Sequence, residues 1–172
     1  MSNIGRLVSI NRSNGGLPKL PVPPPVMLYR EGVEGDRHRN LRVHGGPNKA
    51  VLMIAAELVD SWALDGFPVT YGTLGENLTV SGMDPHQWRA GQRYRVGDDA
   101  VIELTTLRQP CQNLLVFGAA GNRPIGRELY DAACRAGDTS GTHWAHGGFY
   151  ARVVREGLLV QGAEVVLESD LA

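Results

Sequence analysis

No stretch of this chain stays apolar for the roughly 20 residues that a membrane-spanning helix needs, and residues 1–12 lack the apolar run of a secretory signal. A cytoplasmic protein with no membrane partner is therefore expected. Cysteine is scarce as well. Cys111 and Cys134 are the 2 cysteines of 172 residues and form no CxxC or CxxH pairing. They read as reduced thiols, not as a disulfide framework or a cysteine-built zinc site. Neither sign of charge is in excess: 17 Lys+Arg face 18 Asp+Glu for a formal charge of -1, so the basic footprint of a dedicated nucleic-acid binder is missing. Any anion site has to be local.

Turn formers, by contrast, are plentiful. The 22 glycines and 10 prolines imply many short elements, and the length suits one core, so residues 1–172 are expected to form a single domain. Strands are expected at 4–10, 26–29, 50–54, 78–80, 92–96, 101–107, 148–155 and 158–167, separated by glycine-rich turns, with residues 13–25 as loop. Leu58, Val59, Trp62 and Ala63 fall at helical spacing within 55–64, with Gly66 placed to end that helix. A second helix is expected from Pro124 to about Gly137, with Ile125 and Leu129 on one face. Closing so many strands without bare edges predicts a mostly β (α+β) fold, a closed or nearly closed β-barrel with a few peripheral helices.

Chemistry concentrates at few places. Cys111 follows Arg108-Gln109-Pro110 at a strand end, and Gln112-Asn113-Leu114-Leu115 suits a helical turn. Backbone N–H groups and Arg108 would together favour the thiolate, as in reactive or metal-ligating cysteines. Free cysteine is also among the most buried residue types, so a core thiol is the competing account. Cys134, inside the second helix with no adjacent base, reads as structural.

Residues 36–49 gather six basic or imidazole side chains, among them Arg37, His38, His44 and Lys49, around Gly45 and Gly46. The glycines would let the backbone approach an anion closely, although the spacing is no known phosphate loop. A solvated charged loop is the plainer account. His38 and His44 with Asp36 fit no standard zinc spacing. Glu76 and Asn77, between strand-like segments, suit either a ligand or a turn. His143, Trp144 and His146 sit in a Gly/Ser/Thr-rich stretch that reads as an exposed loop more readily than as a pocket lining.

Taken in order, the motifs resemble the MOSC domain, named from the C-terminal domain of molybdenum-cofactor sulfurases. The resemblance rests on Gly16-Leu17-Pro18-Lys19-Leu20-Pro21-Val22, Gly35-Asp36-Arg37-His38, His44-Gly45-Gly46-Pro47-Asn48-Lys49-Ala50-Val51, Gly75-Glu76-Asn77-Leu78 with Gly82, Arg108-Gln109-Pro110-Cys111, and Tyr150-Ala151-Arg152-Val153 with Gly157. Leu107 and Leu74 depart from a proline and a phenylalanine common at those places.

The resemblance implies a β-barrel and a cysteine, here Cys111, that either ligates molybdenum of a pterin cofactor or carries sulfur as a persulfide. Arg37, His38, His44, Gly45, Gly46, Lys49 and Arg108 would then hold the anionic cofactor or substrate, and Glu76 and Asn77 would shape the pocket. The pyridoxal-phosphate-dependent domain of full sulfurases is not in this chain, nor is a flavin or iron–sulfur module. A desulfurase or an electron-donating reductase is thus expected as partner, alongside a small-molecule substrate. Three readings follow. The chain is a molybdenum-cofactor component reducing N-hydroxylated compounds, a sulfur carrier of the transferase class, or a non-enzymatic module binding pterin or oxyanion through the basic loop.

Overall fold

The structure is a computed structural model that describes residues 3–38, 45–112, 114 and 119–170. Its strands, in chain order, are β1 (Ile4–Arg12), β2 (Leu20–Pro21), β3 (Val26–Tyr29), β4 (Gly32–Val33), β5 (Val51–Ala55), β6 (Leu78–Ser81), β7 (Arg93–Val96), β8 (Ala100–Leu107), β9 (Ala119–Ala120), β10 (Arg123–Pro124), β11 (Phe149–Arg155), β12 (Gly157–Leu159) and β13 (Glu164–Ser169). The helices are α1 (Ala56–Leu64), α2 (Gly126–Leu129) and α3 (Ala132–Ala136).

Seven strands run in the order β13-β7-β8-β11-β5-β6-β1, and β1 pairs back onto β13, Ile4 opposite Val166, to close the barrel. All these neighbours are antiparallel except β5 and β6, which run parallel with Met53 opposite Leu78. Helix α1 is part of the crossover that this parallel pair requires.

Alternation along the strands builds the core. Leu7, Ile10, Leu78, Val80, Tyr94, Val96, Ile102, Leu104, Phe149 and Val165 are buried together in the barrel interior. Strand β5 is buried on both faces, which is why its sequence is a continuous apolar run. Val51, Met53 and Ala55 join the interior, while Leu52 and Ile54 join a second cluster with Val59 and Trp62 of α1, Phe67, Leu74, Leu114, Ile125 and Leu129. Each such aliphatic side chain contributes about 1.5–3 kcal/mol on burial, so the outer cluster fixes α1, α2 and the Leu114 turn firmly to the barrel.

Three sequence expectations are corrected. The second helix is two: Tyr130 is extended (φ -165°, ψ 138°), and Asp131 starts α3 anew by accepting a hydrogen bond from the Cys134 N–H. The last strand is also two, because Gly162, at φ 85°, turns the chain between β12, which pairs β3, and β13, which pairs β1 and β7. Within the expected loop 13–25, Leu20 and Pro21 pair with the end of β1. Among the described residues no helix is long and apolar enough to cross a membrane.

Candidate functional site

The candidate residues sit on segments leading into or out of β8, β11, β5 and β6, which are consecutive neighbours in the barrel. Asp36 organises one side. Its side chain is 1% exposed and pairs with Lys19, itself 8% exposed. Its Oδ1 accepts from the Ser13 N–H at 2.9 Å, and its Oδ2 accepts from Asn77 Nδ2 at 2.8 Å. Asn77 in turn donates to the Asn11 carbonyl at 3.1 Å and accepts from the Leu52 N–H at 3.1 Å, tying Asp36 to β1 and β5. His38 Nε2 lies 3.8 Å from Asp36 Oδ2. Burial pushes both Lys19 and His38 below their ordinary pKa values; the charge of Lys19 adds to the effect on His38, and Asp36 opposes it in both.

The Lys19 segment docks on the turn before Glu76 through the Lys19 N–H, which donates to the Gly72 carbonyl at 2.9 Å. Gly72 has φ 92°, and a Cβ there would run into the Lys19 carbonyl, so only glycine fits. The Gly72 N–H donates to Glu76 Oε1 at 2.6 Å. Glu76 is fully buried, and its Oε2 has no partner among the described residues. Burial raises its pKa to about 7, outweighing the Gly72 amide and the Arg108 charge, which act the other way.

That shift has a testable sign. The folded state keeps the Glu76 proton above the ordinary 4.5, so this stabilising contribution is complete below pH 4.5 and is lost as pH rises through about 7. Glu76→Gln removes the titration while keeping an oxygen for the Gly72 amide. Urea unfolding across that window should show the wild type losing on the order of 3 kcal/mol relative to the variant, at about 1.4 kcal/mol per pH unit. Parallel stability curves would mean that the carboxyl is ionised in the fold.

Arg108 occupies the centre. Buried at 4% exposure, it donates from Nη2 to the Leu74 carbonyl at 2.7 Å and from Nη1 to the Gly147 carbonyl at 3.4 Å, and it is hydrogen-bonded to Tyr150. Its charge interacts with Tyr150, Cys111 and Glu76. Cys111 is half-buried against the outer apolar cluster. Asn113 and Leu115 of the expected helical turn lie outside the described residues; the Leu114 N–H donates to the Cys111 carbonyl at 3.2 Å. Lys49 stands with its ammonium 5.0 Å from the centre of the Tyr150 ring. Burial raises the Tyr150 pKa, Arg108 opposes the rise, and Cys111 adds to it.

Hydrogen bonds and ion pairs thus link His38, Asp36, Lys19 and Asn77, the Lys19 backbone reaches Glu76 through Gly72, and Arg108 acts electrostatically on Glu76 and Cys111, with Lys49 adjoining Tyr150. Gly45 and Gly46 both have positive φ, 87° and 80°, and Gly45 abuts the His38 ring. Arg37 is exposed and lines a separate cleft of about 480 Å³ with Arg12, Ser13 and Asn14. His44 lies outside the described residues. Among the described residues no three His, Cys, Asp or Glu side chains gather to hold a metal. Residues 143–146 are not an exposed loop: Trp144 is 7% exposed and its indole N–H donates to the Trp88 carbonyl at 3.0 Å.

Sequence reasoning passed over Lys19 and Tyr150 as site residues. A lysine set among prolines and leucines was the available signal for the first. Tyr150 carried none beyond its place in a strand and in one of the motifs of the resemblance.

A family model described as "MOSC domain" matches residues 40–166. The "Uncharacterized protein YflK" of Bacillus subtilis is 36% identical over 156 residues, which are 90% of this chain and 63% of that protein. A protein named "Reductase" from Gibberella moniliformis is 32% identical over 94 residues, 52% of this chain and 17% of that one. The crystal structure of YiiM from Geobacillus stearothermophilus superposes with a TM-score of 0.67 at 27% identity, covering 96% of this chain and 75% of that one. The chain thus spans under two thirds of the length of either sequence relative.

Proposed function

Because the chain belongs to the MOSC domain family, we propose that it binds a molybdenum–pterin cofactor through Cys111 and serves as the molybdenum-carrying component for reduction of N-hydroxylated compounds. The observation that carries this reading is the half-buried Cys111 thiol set beside a buried Arg108. The donor set fits the group. A soft thiolate suits molybdenum better than the surrounding hard oxygens do, and the cations suit an anionic pterin. When bound, the cofactor supplies the electron-transferring metal.

The protein's own residues hold and orient it. Cys111 supplies the sulfur. Arg108 supplies a charge that cannot be titrated away and is fixed by the Leu74 and Gly147 carbonyls. Lys49, with His38, His44, Gly45 and Gly46, offers charge and close backbone to a phosphate, whereas Arg37 lines the separate cleft. Asn77 and Glu76 shape the wall. Apolar neighbours of Cys111 limit water around the thiol. Electrons come from a separate reductase, a division of labour in keeping with a relative named "Reductase" of which the matched segment is a small part.

Partial exposure of Cys111 also suits a sulfur carrier. In that reading its thiolate takes the terminal sulfur of a desulfurase persulfide and releases the desulfurase thiolate. Protein purified without reductant separates the two. Molybdenum by elemental analysis, lost in Cys111→Ser, is the expected result. Added sulfur on Cys111 by mass, without molybdenum, would move the assignment to sulfur transfer, and neither would overturn both.

A further inference from the structure

Arg108 is a cation buried without an ion pair. It is 4% exposed, and no ion pair among the described residues includes it. Neutral groups hold its guanidinium: the Leu74 carbonyl at 2.7 Å, the Gly147 carbonyl at 3.4 Å and Tyr150. A charge taken out of water without an opposite one is costly, and an arginine does not escape that cost by losing its proton. Its negative partner has to come from within electrostatic reach in the fold or from solution.

Glu76 is the carboxyl within that reach. It is fully buried, it closes the turn whose Leu74 carbonyl holds Arg108, and the two charges act on each other. Its oxygens differ. Oε1 accepts from the Gly72 N–H at 2.6 Å and from the Thr79 hydroxyl at 3.4 Å. Thr79 Oγ1 accepts from Asn11 Nδ2 at 3.3 Å, which leaves its own hydrogen for Glu76. Oε2 has no partner among the described residues. The hydrogen bonds therefore hold Oε1 in either protonation state, and Oε2 is where a proton can come and go.

The other charges around Glu76 are answered elsewhere. Lys19, from the segment before β2, is paired with Asp36, and His38 stands 3.8 Å beyond that carboxylate. Tyr71, on the same turn, donates to Asp60 at 3.1 Å. Asn11 of β1 and Thr79 of β6 are neutral, and Tyr150 of β11 and Cys111 face Arg108. Burial brings the Glu76 pKa to about 7 against the pull of Arg108, so both forms are accessible near neutral pH.

We propose that Glu76 is the exchangeable counter-charge of Arg108: it supplies the negative charge when no anion is bound and takes up a proton from solvent when an oxyanion settles against the guanidinium. This rests on the reading of Arg108 as an anion holder and adds that anion and proton bind together. The coupling is reciprocal. Anion affinity is highest where Glu76 is protonated and is lost as pH rises through its titration.

Sulfate, whose charge is constant over the range, is the probe. Its affinity is read from the Arg108 side-chain N–H signal by NMR, between about pH 5.5 and pH 8.5, for wild type and Glu76→Gln. Gln keeps an oxygen for Gly72 and Thr79 but does not titrate, and the ratio of the two affinities cancels groups common to both proteins. The ratio of wild type to variant should be level below about pH 6 and fall about tenfold by pH 8.5, the factor for one pKa unit of coupling. A level ratio, with sulfate bound by both proteins, overturns the counter-charge and leaves the anion site standing. No sulfate response at Arg108 in either protein overturns the anion reading and this proposal with it. Should Glu76→Gln fail to fold by circular dichroism, infrared difference spectra of the wild type just above neutral pH decide. Sulfate should convert carboxylate absorbance into that of a protonated carboxyl, and an unchanged carboxyl region overturns the proposal.

Discussion

Asp36→Ala is expected to destabilise the protein by about 3–5 kcal/mol, the loss seen when one partner of a buried ion pair is removed. The variant leaves the Lys19 ammonium buried without its carboxylate, and it strips the acceptor from the Ser13 N–H and from Asn77 Nδ2. With both side chains of the pair below a tenth exposed, solvent screening does little to soften the loss. A domain of ordinary stability holds about 5–15 kcal/mol, so the variant should sit near the edge of unfolding. Equilibrium urea unfolding measures it. Asp36→Asn, which keeps an oxygen for Ser13, should recover part of the loss, and Asp36→Asn with Lys19→Met should recover more by removing the stranded charge. A loss under about 1 kcal/mol in Asp36→Ala would show that Lys19 reaches water once released.

This network explains which parts of the site could be seen in the sequence. Strand and helix positions follow from periodicity: β5 is an unbroken apolar run because both of its faces are covered, and α1 shows Val59 and Trp62 on its buried face. Barrel closure is a global property, yet the regular glycine punctuation of short strands already pointed to it. The misses are local competitions. Pro124 ends β10 instead of opening a helix, and Asp131 caps α3, so the expected helix became the two short helices α2 and α3. The apolar run 158–167 hid a turn because Leu158 is an exposed residue of β12, in a different sheet, and Val160 is exposed just beyond that strand.

The site was legible where one residue carries a chemistry of its own and illegible where the chemistry is made by packing. Cys111 stands out as a thiol after Arg108 and Pro110. Glu76 and Asn77 were marked as polar residues between strands, but nothing in Gly75-Glu76-Asn77 says that Oε2 of Glu76 ends up without a partner. Lys19 is lysine in a proline-rich loop until Gly72 brings it against Asp36.

Cys111→Ser should abolish activity reconstituted with molybdenum cofactor and, separately, acceptance of sulfur from a donor, whereas Cys134→Ser should leave both within about twofold, as expected of a conservative change away from a site. The two thiols differ in surroundings, not in kind. Cys111 is half-buried, at the end of the segment that follows β8 and three residues after Arg108. Cys134 is 4% exposed within α3, and burial raises its pKa, with the Asp131 amide contact opposing the rise. Serine matches cysteine in shape but offers a hard hydroxyl that ionises far less readily, so folding is kept while ligation and sulfur transfer fail. Alkylation of the native protein near neutral pH, mapped by peptide mass, should label Cys111 first and Cys134 only on unfolding. Prior labelling of Cys134, or full activity of Cys111→Ser in both assays, would move the chemistry of this barrel away from Cys111.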